Sequence, residues 1–491
     1  MQLLSKYSKS IFPKYWPLII ILIFFSIAYS VLGIVRHNHY QSFGYDLGID
    51  DQIVWQFSNF RLPITSIDDT PFMLSLANHV EIIYAVISPI YWIWDDVRML
   101  IIMQVLVMVT SAIPAFLLAK KYKLKEFLCY AITLSYLTFF GVQNALWFDV
   151  HSSVFGSALL MWFIYFIDKE KLRLAWLFFF LTLLSKENFA ALLFLVSLTY
   201  LFITRKKYHL YFMGVSLVYL IFIFGFYFPN IISGGYKYQT KDGLLSDINP
   251  IYLINTPDKR SVFFYSLFTF GFIPLLYPLY LIAYIGNLAI YFIFGRGVPG
   301  AQGLFLHYRV DLTPLLVFAT ILTIDKWKNK LKWLNSTYFA IYIIICACAV
   351  QYMLHLPLSY LTKQWFWDQS PEVANINALI SYLPPNASVA SQDNITPHLS
   401  HRRAIFTLWP QQQKFTKNSP CGEKVCDWFS WGGEPEYLIV DTSNEWDIRH
   451  FLGDRKGFIR GLKNLEKAGY IKKIKQKGHA RLFYVLKSFN K

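Results

Sequence analysis

Charged side chains are scarce in this chain: Asp, Glu, Lys and Arg make up 15% of its 491 residues, whereas hydrophobic residues make up 55%. This composition, with a mean hydropathy of +0.38, excludes an ordinary soluble enzyme and predicts a polytopic membrane protein. Acidic residues are fewer than basic ones, which leaves a net charge of +16. Because the basic residues occur in short clusters between apolar runs, as in cytoplasmic loops, we expect no nucleic-acid partner.

Cysteine is also rare, at five residues, and no repeat or low-complexity tract stands out. Cys129, Cys346 and Cys348 lie in apolar runs, where we expect them to be packing residues. Cys421 and Cys426 lie in a polar region that is predicted to be outside the cytoplasm, where a small disulfide loop can form. The alternative is a metal pair, but no matching Cys or His pair follows at the spacing of a zinc site.

Long apolar runs dominate what is present, and the first covers about residues 17–35. It follows Lys6, Lys9 and Lys14 and lacks an obvious small-residue cleavage site, so we expect a membrane anchor with a cytoplasmic amino terminus. Placing every basic cluster in the cytoplasm then predicts eleven spans. The other ten lie near residues 99–119, 127–142, 153–167, 174–184, 189–204, 210–228, 262–295 (two short spans that turn at Pro274 and Pro278), 310–324 and 336–354.

Two segments of the first outer loop, residues 46–59 and 79–94, are predicted to be helices that lie at the membrane surface. The apolar part of the second is only about 13 residues long and rich in Tyr and Trp, which suits an interfacial helix better than a span. Further outer loops are predicted at residues 144–151, 230–260 (with Gly234 and Gly235) and 296–309.

The composition changes near residue 370, where charged residues become more frequent and Pro384 and Pro385 interrupt the chain. Short β-branched runs then occur among helical patterns, which is typical of a small α/β domain. We therefore predict an all-α transmembrane domain at residues 1–360 and an extracytoplasmic α/β domain at residues 370–491. The runs are residues 387–390, 404–408, 437–440 and 482–485.

Three carboxylates, Asp46, Asp50 and Asp51, follow the first span within six residues. If this stretch is helical, Asp46 and Asp50 share a face and Asp51 lies about 100° further round. Such a cluster repels itself unless a cation, a proton or a basic partner is nearby. The alternative is a solvated acidic first turn of a surface helix.

Other ionisable residues are predicted on the same side of the membrane, where desolvation has to be offset by partners and each is therefore a functional candidate. Lys186 and Glu187 either bind substrate or pair with other loop charges. Asp149 and His151 either bind a divalent metal or hydrogen-bond the loop backbone, and two ligands alone are a weak metal signal. The full set is Asp46, Asp50, Asp51, His79, Glu81, Asp149, His151, Lys186, Glu187, His307 and Arg309.

His307 and Arg309 flank the start of a predicted span. The fork of an Arg side chain suits bidentate binding of a phosphate, and the alternative is an interfacial anchor. With the carboxylates and histidines of the same face, these residues indicate that the protein handles an anionic, lipid-bearing substrate.

Several unrelated short motifs of the chain match those of a known family in the same order. They lie at residues 45–52, 79, 148–151, 186–187 and 391–402. Through them the chain, from about residue 40 to 440, resembles the DUF2079 family of predicted membrane proteins. More distantly it resembles the GT-C superfamily of polytopic glycosyltransferases, which includes the dolichyl-phosphate-mannose protein mannosyltransferases. The superfamily resemblance rests mainly on layout: an Asp after the first span and two juxtamembrane helices in the first outer loop.

Three positions depart from the family pattern. The family usually has an apolar or aromatic residue where Asp50 stands, Pro where Ser152 stands, and Asp where Asn188 stands. The change at Asn188 weakens the case for a metal site built on that loop.

The resemblance implies a GT-C-like membrane fold and transfer of a sugar from a polyprenyl-phosphate donor to an acceptor on the outer face, with inversion. Asp46 is then expected to be the base, and a neighbouring Asp51 would raise its pKa. Arg309 and Lys186 are expected at the donor phosphate, and His79, Asp149 and His151 at the acceptor or a metal. The remaining substrate-binding candidates are Glu187 and His307. If a divalent metal such as Mg or Mn takes part, the expected ligands are Asp46, Asp149 and His151.

Two other functions compete with this one. A transporter or flippase for a lipid-linked molecule would have charges in mid-span and two repeated halves, and the sequence shows neither. A non-catalytic scaffold would bind partners through its outer domain, whose polar motif at residues 391–403 either binds a ligand, closes over the membrane cavity or forms a satisfied turn. The motif residues are Gln392, Asp393, Asn394, His398 and Arg402. We expect the protein in the cytoplasmic membrane of a prokaryote, with membrane lipid and a polyprenyl-phosphate-linked sugar as partners.

Overall fold

The computed structural model describes residues 2–67, 72–231, 249–294, 300–410, 420–421, 426–444, 447–449 and 452–488. The chain forms two compact units. Unit 1 contains Met1–Gly33, Ala77–Ile83 and Ile101–Lys363. Unit 2 contains Ile34–Leu76, Tyr84–Leu100 and Gln364–Lys491.

Most of the described chain is helical. Some helices begin at a side-chain cap: the Oγ of Ser336 accepts from Phe339 N at 3.1 Å, and Oδ1 of Asp454 accepts from Gly457 N at 2.7 Å. The α-helices are α1 Gln2–Asn38, α2 Ile49–Ser58, α3 Ile83–Ile87, α4 Val97–Thr110, α5 Ala112–Lys121, α6 Glu126–Leu137, α7 Phe140–Trp147, α8 Ser152–Asp168, α9 Leu172–Leu183, α10 Phe189–Thr204, α11 Tyr208–Phe222, α12 Phe228–Ile231, α13 Pro257–Thr269, α14 Ile282–Ala289, α15 Leu312–Trp327, α16 Thr337–Met353, α17 Gln364–Trp367, α18 Pro371–Ile380 and α19 Arg455–Lys467.

Three helical stretches of the described chain are both long and apolar enough to cross a membrane: Tyr15–Asn38, Val97–Lys121 and Tyr208–Ile231. Shorter apolar helices occupy many of the other predicted spans. They have 10–17 residues, fewer than the roughly 20 that a straight membrane-crossing helix needs. The count of eleven spans therefore stays a prediction. The shorter helices are Ile83–Trp92, Glu126–Leu137, Ser152–Asp168, Leu172–Leu183, Phe189–Thr204, Pro278–Ile293 and Thr337–Met353.

One clear difference between the helices of unit 1 and the predicted spans lies at Phe139. The stretch predicted as one span at residues 127–142 is broken, because Phe139 is extended (ψ 136°) between α6 and α7. Helix α7 then continues to Trp147, into residues that were predicted to form a loop. Between α13 and α14, short 3₁₀ turns Ile273–Leu276 and Pro278–Leu281 form the predicted break.

Two predicted loops are only partly described. Residues 232–248, with Gly234 and Gly235, lie outside the described residues, as do residues 295–299.

The main sheet of unit 2 has five strands in the order β4-β3-β7-β9-β8. Strands β4, β3 and β7 are parallel, whereas β9 runs antiparallel to both β7 and β8. Two small antiparallel pairs, β1 with β2 and β5 with β6, complete the strands. The strands are β1 Ile64–Thr65, β2 Met73–Leu74, β3 Val389–Ser391, β4 Ile405–Thr407, β5 Trp409–Pro410, β6 Phe429–Ser430, β7 Tyr437–Asp441, β8 Ile471–Lys477 and β9 Ala480–Val485.

Alternating side chains give the sheet two apolar faces. In β7, Leu438 and Val440 belong to one core cluster, whereas Ile439 belongs to the other. Helix α19 packs on the first face and α18 on the second, through their buried Leu, Ile, Val and Phe side chains. Burial on both faces explains why the central strands have continuous apolar sequences.

The unit boundaries differ from the predicted domains, because unit 2 also takes in Ile34–Leu76 and Tyr84–Leu100. Hydrogen bonds within unit 2 give the physical reason. Gly44 N donates to Asp393 O at 2.9 Å, and the Oγ of Ser66 donates to Ile405 O at 2.8 Å. The segments predicted as juxtamembrane helices are helical: a π-turn at Gly44–Gly48 leads into α2, and α3 leads into a 3₁₀ turn at Ser88–Trp92.

Candidate functional site

The candidate polar residues and their main partners fall into two groups, one in each unit. We call them the unit 1 cluster (His79, Glu81, Asp149, His151, Lys186, Glu187, Asn188, Tyr291, His307, Arg309 and Asp311) and the unit 2 cluster (Asp50, Asp51, Tyr84, Tyr91, Asp95, Ser400 and His401).

Arg309 is the largest fully buried side chain of the described protein. Its Nε donates to Gly303 O at 3.0 Å, its Nη2 donates to Ala301 O, and its guanidinium carbon lies 5.0 Å from the ring centroids of Tyr291 and Phe292. Within the described residues, its Nη1 is buried without a hydrogen-bond partner. Burial lowers the pKa of Arg309 to about 10, so the side chain is still a cation at neutral pH.

A tight turn holds Arg309 in place. Leu306 has a left-handed φ of +63°, and the 3₁₀ turn His307–Arg309 follows it. Helix α7 packs directly on this turn, because a β-carbon at Gly141 would collide with the backbone carbonyl of Arg309. Glycine at position 141 is therefore required for this approach.

A buried hydrogen-bond network lies beside Arg309. The Oγ of Ser157 and the hydroxyl of Tyr291 donate to the two carboxylate oxygens of Asp311, at 2.7 and 3.1 Å. The Nδ2 of Asn188 donates to the same Tyr291 hydroxyl at 3.2 Å. Sequence reasoning missed this network, although Asp311 gave a signal: it is a carboxylate at the beginning of an apolar run.

The loop that carries Lys186 and Glu187 pairs with the segment Ala77–Ile83. Glu187 accepts a 2.7 Å hydrogen bond from Nδ1 of His79, and Nζ of Lys186 lies 3.8 Å from Oε1 of Glu81. These residues were singled out from the sequence, and the structure brings all four together. The pairing is the alternative that was open for Lys186 and Glu187, so substrate binding by them stays a prediction.

The loop of Asp149 and His151 is held by one glutamine. Nε2 of Gln104 donates to Asp149 O at 2.9 Å, while Oε1 of Gln104 accepts from His151 N at 2.8 Å. Asp149 adopts a left-handed φ of +64°, and the His151 ring stacks on that of His307 with centroids 3.6 Å apart. Burial and the neighbouring His151 lower the pKa of His307, which keeps its ring neutral.

Across the described ranges, no group of three or more His, Cys, Asp or Glu side chains could hold a metal ion. Metal binding by Asp46, Asp149 and His151 stays a prediction.

In unit 2, Asp51 is fully buried and its carboxylate accepts from the hydroxyls of Tyr91 and Ser400. Nε2 of His401 lies 3.1 Å from the same carboxylate, and Nδ1 of His401 lies 2.8 Å from Asp95. Burial lowers the pKa of His401, but Asp51 and Asp95 outweigh it and raise the pKa to about 10. A protonated His401 is thus the basic partner that the acidic cluster requires.

The three carboxylates of the acidic cluster have different surroundings. Asp50 is buried and accepts from the Tyr84 hydroxyl at 2.6 Å, and the carboxylate of Asp51 is committed to three partners. Asp46 lies in the π-turn and is only half-buried. This geometry supports a structural role for Asp51, and the catalytic roles predicted for Asp46 and Asp51 stay predictions.

The motif at residues 391–402 is buried within unit 2. Oδ1 of Asp393 accepts from Tyr45 N at 3.1 Å, and Nδ2 of Asn394 donates to Tyr40 O at 3.3 Å. The His398 ring stacks on the Tyr40 ring at a centroid distance of 3.8 Å. These contacts tie the C-terminal segment of unit 2 to the segment that follows α1.

The other two motif residues also bind backbone and buried groups. Gln392 donates to Asp447 Oδ2 at 3.2 Å and accepts from Asp441 N. Nη1 of Arg402 donates to Pro384 O at 2.6 Å and Pro385 O at 2.9 Å. Contacts within unit 2 therefore hold the motif, but Oδ1 of Asn394 and Nε2 of His398 are buried without a hydrogen-bond partner among the described residues. The alternatives of a ligand site and a satisfied turn both stay predictions.

Two other features of unit 2 bear on the predictions. Cys421 and Cys426 form a disulfide, with Cα atoms 6.3 Å apart. A polar cavity of about 640 Å³ lies within the unit and is lined among others by Asp95, Asp96, Arg98, His398, His401 and Arg402.

The model of a family described as "Predicted membrane protein (DUF2079)" matches residues 36–428. No curated protein matches the chain. Among solved structures, the chain is similar to ArnT from Cupriavidus metallidurans, crystallised in the apo state, with a TM-score of 0.50 and 11% sequence identity over 95% of this chain and 97% of that one. At this identity the similarity concerns the fold alone.

Proposed function

Because this chain belongs to the DUF2079 family of predicted membrane proteins and has an ArnT-like fold, we propose that it is a GT-C-type glycosyltransferase of the membrane. In this proposal it moves a sugar from a polyprenyl-phosphate donor to an acceptor on the outer face of the membrane. The fold likeness supports the distant GT-C resemblance. Because one fold hosts many functions, the residues of the site have to support the activity.

The buried guanidinium of Arg309, with its Nη1 unpartnered among the described residues, carries the proposal. A buried cation that keeps a free donor is costly unless a ligand completes its hydrogen bonds. A departing polyprenyl phosphate gains negative charge, and a guanidinium fork stabilises such a group with two parallel hydrogen bonds. Lys186, whose ammonium lies 3.8 Å from Glu81, is the second cation proposed for the donor phosphate.

The chemistry is a single displacement. The acceptor hydroxyl oxygen attacks the anomeric carbon and forms the new glycosidic bond, while the bond from that carbon to the phosphate oxygen breaks. The hydroxyl proton passes to Asp46, and the electron pair of the broken bond leaves on the polyprenyl phosphate. His79, Glu187, His151 and His307 are proposed as substrate contacts.

Transfer from radiolabelled polyprenyl-phosphate hexoses, measured with the full-length protein in lipid, tests the proposal. We expect Asp46→Asn to lower transfer about 10²–10⁴-fold while donor binding is kept, because only the base is lost. We expect Arg309→Lys, which keeps the charge but not the fork, to lower transfer about 10²–10³-fold.

Two exposed residues provide matched controls: Asp368→Asn and Arg173→Lys should leave transfer unchanged. Donor binding by the native protein without any transfer, unaffected by Asp46→Asn, would contradict the transferase proposal and support a transporter or a scaffold.

A further inference from the structure

A groove of about 680 Å³ lies in unit 1, away from the residues of the unit 1 cluster. It is formed by the break after α13, the turn before α16 and the beginning of α16, and half of its lining residues are aromatic. The residues that matter are Gly271, Lys332, Trp333, Tyr338, Phe339 and Tyr342.

The backbone shapes this groove. Gly271 has a left-handed φ of +60°, and Phe272 follows with a φ of +58°, so the chain reverses immediately after α13. A β-carbon at Gly271 would lie 2.5 Å from the ring carbon Cε1 of Tyr342, so the turn packs closely on α16. The backbone turn and its close packing on α16 therefore shape the groove.

The groove contains one lysine, Lys332, which ends a basic segment of the chain. Residues 325–332 contain four Lys and one Asp, a net charge of +3. Lys328 is bound by Asp325 at 2.7 Å and by Tyr122 O at 2.6 Å, and Lys326 lies 5.3 Å from the ring centroid of Tyr277. Lys332 lines the groove, is exposed, and has no hydrogen-bonded or ion-paired partner for its ammonium in the part of the chain that the structure describes.

Most of the other lining residues of the groove are aromatic. Trp333 is 55% exposed and Tyr338 is 86% exposed, and both residue types concentrate at the boundary between lipid headgroups and hydrocarbon. Helix α16 continues with exposed Tyr342 and Ile345 on an apolar surface. A single molecule that fits both the lysine and this aromatic surface carries a negative head and a hydrocarbon tail.

We propose that this groove binds an anionic phospholipid of the leaflet that faces the Lys-rich loop. The phosphate contacts Lys332, and an acyl chain lies against Trp333, Tyr338 and Tyr342. The positive-inside rule makes this the cytoplasmic leaflet, whose anionic lipids are attracted by basic segments next to spans. The proposal rests on the membrane class of the protein and not on sugar transfer, so either can fail without the other.

Native mass spectrometry of the full-length protein in detergent, titrated separately with phosphatidylglycerol and phosphatidylcholine, tests the proposal. We expect phosphatidylglycerol to bind more tightly, and Lys332→Gln to weaken it about fivefold, the effect of one Lys near a lipid surface. Tyr338→Ala should weaken both lipids, because it removes apolar contact. Both side chains are exposed, so neither change threatens the fold.

The matched control is Lys207→Gln, which removes an exposed lysine of another basic loop. It should leave phosphatidylglycerol binding unchanged. Equal binding of the two phospholipids, or equal losses in Lys332→Gln and Lys207→Gln, would overturn the proposal, because either result would mean general attraction to lipid rather than a site.

Discussion

Two cations, half-buried His401 of unit 2 and fully buried Arg309 of unit 1, have different partners. In unit 2, protonated His401 is held by the carboxylates of Asp51 and Asp95. In unit 1, Arg309 meets two backbone carbonyls and two aromatic rings, has no ion pair among the described residues, and keeps Nη1 unpartnered. A charge that is fully paired stabilises the fold around it, whereas one that is left incomplete is available to a ligand. We therefore expect substitutions of the first to affect stability and of the second to affect binding.

The largest effect on stability is expected for Asp51→Ala. This change leaves the half-buried His401 cation with only the exposed partner Asp95 and removes the buried acceptor of Tyr91 and Ser400. Breaking a buried ion pair costs about 3–5 kcal/mol. Thermal unfolding of the full-length protein in detergent should show unit 2 melting earlier. In Asp51→Ala/His401→Ala, the loss should be smaller than the sum of the single losses, and strict additivity would show that the two residues are not coupled.

A pH titration sharpens the same contrast. Because the pKa of His401 is raised to about 10 in the folded protein from its ordinary 6.5, its contribution to stability is fully present below about pH 6.5 and is lost as the pH rises toward 10. The loss should be on the order of 3 kcal/mol. Melting temperature measured against pH should fall over this window in the native protein and much less in His401→Gln. A decline of equal size in both proteins would assign it to other groups.

Replacing Arg309 should lower stability less than Asp51→Ala does, and it should abolish binding of polyprenyl phosphate. In Arg309→Met, two buried carbonyls lose a donor, at a cost of about 2 kcal/mol. Polyprenyl phosphate at about 100 times its Kd should stabilise the native protein by about 2.7 kcal/mol and leave the melting temperature of Arg309→Met unchanged. Arg173→Met, at an exposed position, is the control and should respond like the native protein. Equal stabilisation of Arg309→Met would remove Arg309 from the proposed site.

The smallest effect is expected for Asp95→Ala, on the exposed side of the His401 pair. Asp95 is 62% exposed, and exposed ion pairs contribute under about 1 kcal/mol. The melting temperature should therefore change little, in contrast to Asp51→Ala. If the two variants lost the same stability, burial would not be what distinguishes the two carboxylates.

Much of the helical layout could be predicted from the sequence, because long apolar runs usually form membrane-spanning or buried helices. Strands β3, β4, β7 and β9 could also be predicted, since β-branched runs in a polar region are typical of strands. Strand β8 was missed because four of its seven residues, Ile471–Lys477, are lysines. Lysine is common on edge strands, where it prevents pairing with other chains, but it hides the strand from a hydrophobic pattern.

The sites were predictable only in part, because a sequence gives residue types and not pairings. Arg309, His79 and Glu187 were found because charges near predicted spans are rare. The partners of Asp51 could not be found, since Ser400 and His401 lie about 350 residues further along the chain. For the same reason the sequence could not show that side chains of the motif at residues 391–402 contact other segments of unit 2, and ligand binding by the motif stays a prediction.

The division of unit 2 among distant chain segments has a consequence for biosynthesis. Ile34–Leu76 and Tyr84–Leu100 leave the ribosome before Ile101–Lys363, and Gln364–Lys491 comes last. At roughly 5–20 residues per second, the early segments wait on the order of tens of seconds for the strands and turns that complete them. Until then Asp51 lacks Ser400 and His401, so a nascent or truncated chain carries an uncompensated acidic segment. Unit 2 can therefore be completed only after its segment from Gln364 onward has been made.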